Sequence, residues 1–126
     1  MRHSVLGAAV LFAALAASSC YKEPGIAPKR DGKSLFYNFG GCSNCHRVNN
    51  EKLVGPGLAG TSKIHSEAWL GKWLSSPEKT WEENDAETQE MRTRLGEEKK
   101  SKPGMKLARE FEKGDVDALV GYLKTL

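Results

Sequence analysis

Residues 40–46, with the sequence GGCSNCH, bring two thiols and an imidazole close together in the chain. Cys42 and Cys45 lie three positions apart, and His46 follows the second thiol directly. Both thiols can therefore act on a single partner, and the imidazole supplies a nitrogen ligand beside them. Two glycines precede the motif, and residues 49–60, rich in Asn, Gly and Pro, follow it as a loop. The chain is organised around this short reactive segment.

Four interpretations of this motif compete. A thioredoxin-like dithiol requires a strand–helix–strand context, but no run of residues alternates as a strand would. A structural zinc site requires a second pair of ligands, and only His65 remains in the domain. A disulfide between Cys42 and Cys45 would close too small a loop to stabilise much. The CxxCH spacing favours haem attachment, because the two thiols can reach both vinyl groups of one porphyrin edge while His46 faces the iron.

The N-terminal residues predict export. A basic start, an apolar run over 5–17 and small residues up to Cys20 indicate a signal peptide over residues 1–19. The apolar run is too short to span a bilayer comfortably, and a buried N-terminal helix is the alternative. Cys20 resembles the acylated first residue of a bacterial lipoprotein, although Ala17 stands where leucine is usual. Cleavage after Ser18 would instead leave Cys20 unmodified.

Residues 20–30 contain two prolines and a glycine and little apolar content, so they indicate a tether. Together with the signal peptide, they predict an exported, periplasmic protein that is anchored to a membrane through Cys20. Release would be slow, since each buried methylene of an acyl chain contributes ~0.8 kcal/mol. The folded domain is then expected over residues 31–126.

The pattern from residue 31 onward predicts a small all-α domain with three clear helices. They are expected over 33–39 after an Asp31 cap, from a Ser66 cap to Pro77, and onward from an Asp115 cap. Each carries apolar side chains at helical spacing. These are Leu35, Phe36 and Phe39 in the first, Trp69, Leu70, Trp73 and Leu74 in the second, and Leu119, Tyr122, Leu123 and Leu126 in the third.

Between the second and third helices, residues 78–102 are strongly charged, first acidic and then basic. The only large apolar residues in this stretch are Trp81, Met91 and Leu95. A solvated helix or loop is the simpler interpretation, and a docking surface for a partner is the alternative. The formal net charge of the chain is only +3, so its overall charge gives no argument for nucleic-acid binding.

The domain resembles the class I c-type cytochromes, which carry one haem. The resemblance covers nearly the whole chain after residue 31 and includes the motif at 42–46. It also rests on GKSLF at 32–36, GPGL at 55–58, WL at 69–70 and 73–74, PGM at 103–105 and GYL at 121–123. It implies a helical fold wrapped around one covalently attached haem c, with the first and last helices crossing.

The resemblance also implies the groups around the iron. The carbonyl of Pro56 would accept a hydrogen bond from the second ring nitrogen of His46 and so orient the imidazole. Met105 would be the second axial ligand, at a turn ahead of the final helix. Met91 is the rival in the sequence, and the bland role for either methionine is to fill a gap in the core. The long link before Cys42 leaves open which phenylalanine of the first helix meets the last helix.

Two filled axial positions imply an electron carrier whose iron cycles between the ferric and ferrous states, with redox proteins as donor and acceptor. No acid–base or nucleophile constellation is present, so no catalytic residues are assigned and the protein is not expected to be an enzyme by itself. One alternative is a haem-based ligand sensor in which Met105 is absent from the iron or easily displaced. Another is an electron-transfer subunit of a larger respiratory or dehydrogenase complex, with residues 78–102 as the interface.

Overall fold

The computed structural model describes residues 29–126, and every regular element in this range is a helix. The predicted all-α fold class is therefore confirmed. The predicted signal peptide, Cys20 and most of the tether lie outside the described residues. Within the described range, no helix has the length and apolar character needed to cross a bilayer. The elements are α1 (Gly32–Ser34) with a π-helical continuation (Leu35–Phe39), a 3-10 turn (Cys42–Asn44), α2 (Thr61–Ile64), α3 (Glu67–Ser75), α4 (Pro77–Glu83), α5 (Ala86–Leu95) and α6 (Lys113–Leu123).

The first helix begins at the predicted cap. The carboxylate of Asp31 accepts hydrogen bonds from the backbone N–H of Ser34 at 2.9 Å and from its hydroxyl at 2.7 Å. The helix then widens, because the N–H of Gly40 donates to the carbonyl of Leu35, five residues earlier, at 2.6 Å. This is the hydrogen bond of a π-helix, which holds an additional residue in one turn. The wide turn forms part of the long link that precedes Cys42.

The first and last helices cross at Gly32. A Cβ atom built there would lie 2.1 Å from the carbonyl oxygen of Ala118, so only glycine allows the two backbones to approach this closely. Phe36 is buried and its ring centroid lies 5.5 Å from that of Tyr122. Phe39 instead is 43% exposed. The phenylalanine that meets the last helix is therefore Phe36.

Arg30 fastens the start of the domain to α6. Its guanidinium lies 4.9 Å from the ring centroid of Phe39 and donates to the carboxylate of Asp115 at 3.3 Å. The prediction that Asp115 caps the last helix is wrong, because α6 begins at Lys113 and the cap position is Glu112. Asp115 lies in the first turn instead. An acidic side chain is favoured by the helix dipole in the first turn as well as at the cap, so composition alone does not separate the two positions.

The second predicted helix is α3, and its capping residue is confirmed. The hydroxyl of Ser66 accepts a hydrogen bond from the N–H of Trp69 at 3.1 Å. The predicted apolar stripe faces the core. Pro77 does more than end α3, since it is the first residue of α4, where its missing N–H costs no hydrogen bond.

The charged stretch over 78–102 is more than a solvated segment. It contains most of α4 and all of α5, and it contributes the buried side chains of Trp81, Thr88 and Met91 to the interior. The guanidinium of Arg92 covers the ring of Trp81 at 4.4 Å. The interpretation as a solvated helix or loop was therefore incomplete, because tertiary contacts bury one face of an otherwise polar segment. The docking alternative stays a prediction.

A salt bridge holds α5 against α3. The ammonium of Lys72 lies 2.8 Å from the carboxylate of Asp85, which also caps α5 by accepting from the N–H of Thr88 at 2.9 Å. These two donors lower the pKa of Asp85 to about 2. The carboxylate of Asp85 therefore links α3 to α5 and also caps the N-terminus of α5.

Candidate functional site

The CxxCH motif forms a single tight turn. The backbone N–H groups of Cys45 and His46 both donate to the carbonyl of Cys42, at 3.1 and 2.9 Å. Gly41 precedes this turn with φ +64°, a left-handed conformation that favours glycine. Both thiols are free; Cys42 is half-buried and Cys45 is exposed. Burial raises the pKa of the Cys42 thiol.

The imidazole of His46 is oriented by the loop that follows the motif. Its Nδ1 lies 2.8 Å from the carbonyl oxygen of Pro56. Because a carbonyl only accepts, Nδ1 donates and Nε2 keeps the lone pair that can bind a metal. This is the hydrogen bond that the resemblance implied. Its purpose in orienting an iron ligand stays a prediction.

The same loop lies directly against the imidazole ring. A Cβ atom at Gly55 would come within 2.4 Å of Cε1 of His46, so the ring rests on bare backbone there. The N–H of Gly55 donates to the carbonyl of Cys45 at 2.8 Å, which ties the loop to the motif. A cavity of about 310 Å³ opens beside the ring, and its lining includes Phe36 and Leu53. The histidine is therefore held from its Nδ1 side and next to an open space.

The two rival methionines have different surroundings. Met91 is 6% exposed and belongs to the hydrophobic core on α5, which fits the gap-filling role. Met105 is half-buried in the irregular segment between α5 and α6, two residues after the buried Pro103. Its sulfur accepts a hydrogen bond from the indole N–H of Trp73 at 3.0 Å. The assignment of Met105 to the iron stays a prediction.

Three aromatic rings form a stack that ends at Met105. The ring centroids of Trp73 and Trp69 are 5.1 Å apart with an interplanar angle of 13°, and those of Trp69 and His65 are 4.1 Å apart at 19°. Sequence reasoning did not anticipate this stack. Part of the signal was present, because Trp69 and Trp73 are four residues apart on one face of α3; His65 lies just before this helix.

The far end of the stack is buried beside α5. The guanidinium of Arg94 lies 2.7 Å from Nε2 of His65. His65 is 5% exposed, and burial, with a smaller contribution from Arg94, lowers its pKa. The ring is therefore held mainly in its neutral form, which suits its position against the face of Trp69.

The donor set fits a porphyrin better than a bare metal ion. Over residues 29–126, no three His, Cys, Asp or Glu side chains converge to form a site that could hold a metal ion. The same range contains no strand that would support a thioredoxin-like interpretation. Two free thiols and an oriented imidazole within one turn suit a group that brings its own equatorial nitrogens and takes covalent links from the protein.

The comparisons with known proteins agree with this geometry. A family model described as Cytochrome c matches residues 30–126, and its first residue lies one position before the domain boundary predicted from the sequence. No curated protein and no solved structure matches the chain. The family match extends over the whole helical domain, including the motif, the Pro56 loop and Met105. The chain belongs to the cytochrome c family.

Proposed function

We propose that this protein is a one-electron carrier of the cell envelope in which His46 and Met105 are the axial ligands of haem c. Membership in the family gives covalent haem c as the cofactor and haem-based electron transfer as the general function. When bound, the haem supplies a ferric/ferrous couple. The observation that carries the proposal is the Nδ1–Pro56 hydrogen bond, which leaves Nε2 of His46 for the iron.

Four side chains would hold this cofactor, two by covalent bonds and two as ligands of the iron. Cys42 and Cys45 bind it through thioether links, so it cannot diffuse away. His46 would supply a nitrogen ligand, and Met105 a sulfur ligand that would raise the reduction potential relative to a second nitrogen. Two side-chain ligands would leave no position for a small molecule, which favours electron transfer over ligand chemistry. The partners are redox proteins that give and take the electron.

Replacing Met105 by alanine tests this ligation. We expect the Met105→Ala holoprotein to have a lower reduction potential and to bind cyanide or carbon monoxide, because the sixth position becomes open. Optical spectra and a redox titration measure both effects. Met91→Leu is the matched control, since it conserves volume in the core and should leave the visible spectrum unchanged.

If Met91→Leu lowers the reduction potential and Met105→Ala leaves it unchanged, Met91 is the ligand of the iron. If the wild-type ferrous protein already binds carbon monoxide tightly, Met105 is not a stable ligand. The ligand-sensor alternative would then replace the electron carrier.

We also propose that the mature protein is exported and tethered to a membrane through an acylated Cys20. The apolar N-terminal run and the position of Cys20 at its end support this proposal. We expect the wild type to sediment with membranes and to require detergent for release, and Cys20→Ser to appear in the soluble periplasmic fraction. Fractionation and intact mass measure this. Recovery of the wild type in the soluble fraction with an unmodified Cys20 would refute the tether.

A further inference from the structure

His65 is a buried imidazole that lies between groups of opposite charge on α5. Its side chain is 5% exposed, and its ring stacks on the uncharged indole of Trp69 from α3 at 4.1 Å. The guanidinium of Arg94 lies 2.7 Å from Nε2, and Oε2 of Glu87 lies 3.7 Å from Nδ1. The negative charge of Glu90 acts on the ring from the same helix. One cation and two anions of α5 therefore influence whether this imidazole is charged.

The contact with Arg94 fixes the position of the proton on the neutral ring. A guanidinium only donates hydrogen bonds, so Nε2 of His65 accepts and the proton of the neutral imidazole lies on Nδ1. Among residues 29–126, Nδ1 has no hydrogen-bond partner. A second proton would have to occupy Nε2, which is the atom to which Arg94 donates. The protonated ring and the contact with Arg94 therefore exclude each other.

The last turn of α5, residues 92–95, depends on few attachments. Beyond Met91, α5 has no buried side chain. Arg92 attaches this turn to Asn84 at the end of α4, and Arg94 attaches it to His65 at the end of α2. One of these two attachments thus includes a group that can titrate. The turn leads directly into the irregular segment 96–112.

We propose that His65 and Arg94 form a proton-sensitive latch, which is closed while the imidazole is neutral and opens when it takes up a proton, releasing the last turn of α5. The proton comes from solvent and binds Nε2, so two donors and two positive charges then face each other, and Arg94 turns to the solvent. The ring keeps its place, because its charge attracts Glu87, whose carboxylate also accepts from the N–H of Ser66 at 3.1 Å. The latch does not depend on which side chain ligates the iron.

The direction of the pH dependence follows from the surroundings of the ring. Burial, with a smaller contribution from Arg94, lowers the pKa of His65 from its ordinary value of 6.5. The unfolded chain therefore binds this proton at a higher pH than the folded chain does. The stabilisation is complete above pH 6.5 and is lost as the pH falls toward the lowered pKa. The closed latch thus belongs to neutral conditions and the open latch to acidic ones.

NMR of the reduced holoprotein tests the latch through two signals measured over the same pH range. The imidazole resonances of His65 give its protonation, and amide protection factors, corrected for the pH dependence of chemical exchange, give the opening of the last turn. We expect His65 to titrate below pH 6.5. With the same midpoint, protection at residues 94–96 should fall about tenfold, the effect of one charge-assisted hydrogen bond. Protection at Met91 should stay constant.

Three variants separate the latch from a general effect of charge. Arg94→Gln removes the cation, so the proton affinity of His65 should rise about threefold, a modest change because Arg94 is exposed. Lys99→Gln is the matched control, since it removes an equal charge from the segment after α5 and should leave the titration of His65 unchanged. His65→Gln keeps an acceptor for Arg94 without a titrating ring, so protection of the last turn should no longer depend on pH.

Several results would overturn the latch. One is a midpoint for His65 at or above pH 6.5 in the wild type, and another is titration of His65 with no change in protection at residues 94–96. Equal changes of proton affinity in Arg94→Gln and Lys99→Gln would also overturn it. The wild-type titration decides the matter if a variant does not fold.

Discussion

A Cys42→Ala/Cys45→Ala double variant is expected to lose its haem and most of its helical structure. A domain of roughly a hundred residues buries little surface for its length, so its core is marginal without the cofactor. Long stretches on both sides of α2–α5 have no regular structure, over 45–60 and 96–112, and they need a surface to pack against. Far-ultraviolet circular dichroism and thermal unfolding measure the loss, and the mass of the denatured protein shows whether one haem stays attached.

Ser43→Ala is the matched control, because it changes the same turn and leaves both thiols in place. We expect it to keep its haem and its fold. A sharp, cooperative thermal transition in the haem-free double variant would contradict the expectation, since it would show that the protein side chains alone complete the core.

Gly32→Val is expected to lower the free energy of unfolding by about 2–3 kcal/mol, the cost of overpacking a tight interface. The added side chain would begin 2.1 Å from the carbonyl oxygen of Ala118 and 2.6 Å from Cβ of Tyr122. Neither atom is the end of a flexible side chain, so the two helices must separate. Denaturant unfolding of the holoprotein measures the change.

Gly71→Ala provides the comparison for that experiment. It lies within α3, and a Cβ atom there meets no heavy atom within 4 Å. The higher helix propensity of alanine predicts a gain of up to ~1 kcal/mol. If Gly32→Val unfolds within about 0.5 kcal/mol of the wild type, the usual range for an unconstrained surface change, the crossing at Gly32 is not tightly packed.

Local patterns predicted the parts of the fold that depend on neighbouring residues. Asp31 and Ser66 were identified as caps because a capping side chain bonds to backbone only three residues away. Asp115 was misplaced because it lies three residues from the true cap, where an acidic residue is also favourable. The burial of Trp81 was not predicted, since it depends on helices packing across a segment that is mostly charged.

In the candidate site, too, local features could be predicted and long-range contacts could not. The motif at 42–46 is contiguous, so its two thiols and its imidazole could be placed together from the sequence, and haem attachment by them stays a prediction. The His46–Pro56 contact came only from the family resemblance, because ten residues of irregular loop separate the two groups. The contact between Trp73 and Met105 was not predicted at all. It joins a helix to a distant loop, and no local pattern specifies which indole a thioether will meet.

The π-helical turn at Leu35–Phe39 also bears on how such chains change length during evolution. Inserting one residue into an α-helix normally rotates everything after it by about 100°, since the helix has 3.6 residues per turn. A single wide turn takes up the additional residue locally, so the residues after it are not rotated. Leu35 and Phe36 can then keep their buried positions while the CxxCH turn keeps its orientation. Related chains that lack one residue between positions 35 and 40 are therefore expected to close this turn into a regular α-helix and to retain the same contacts on either side.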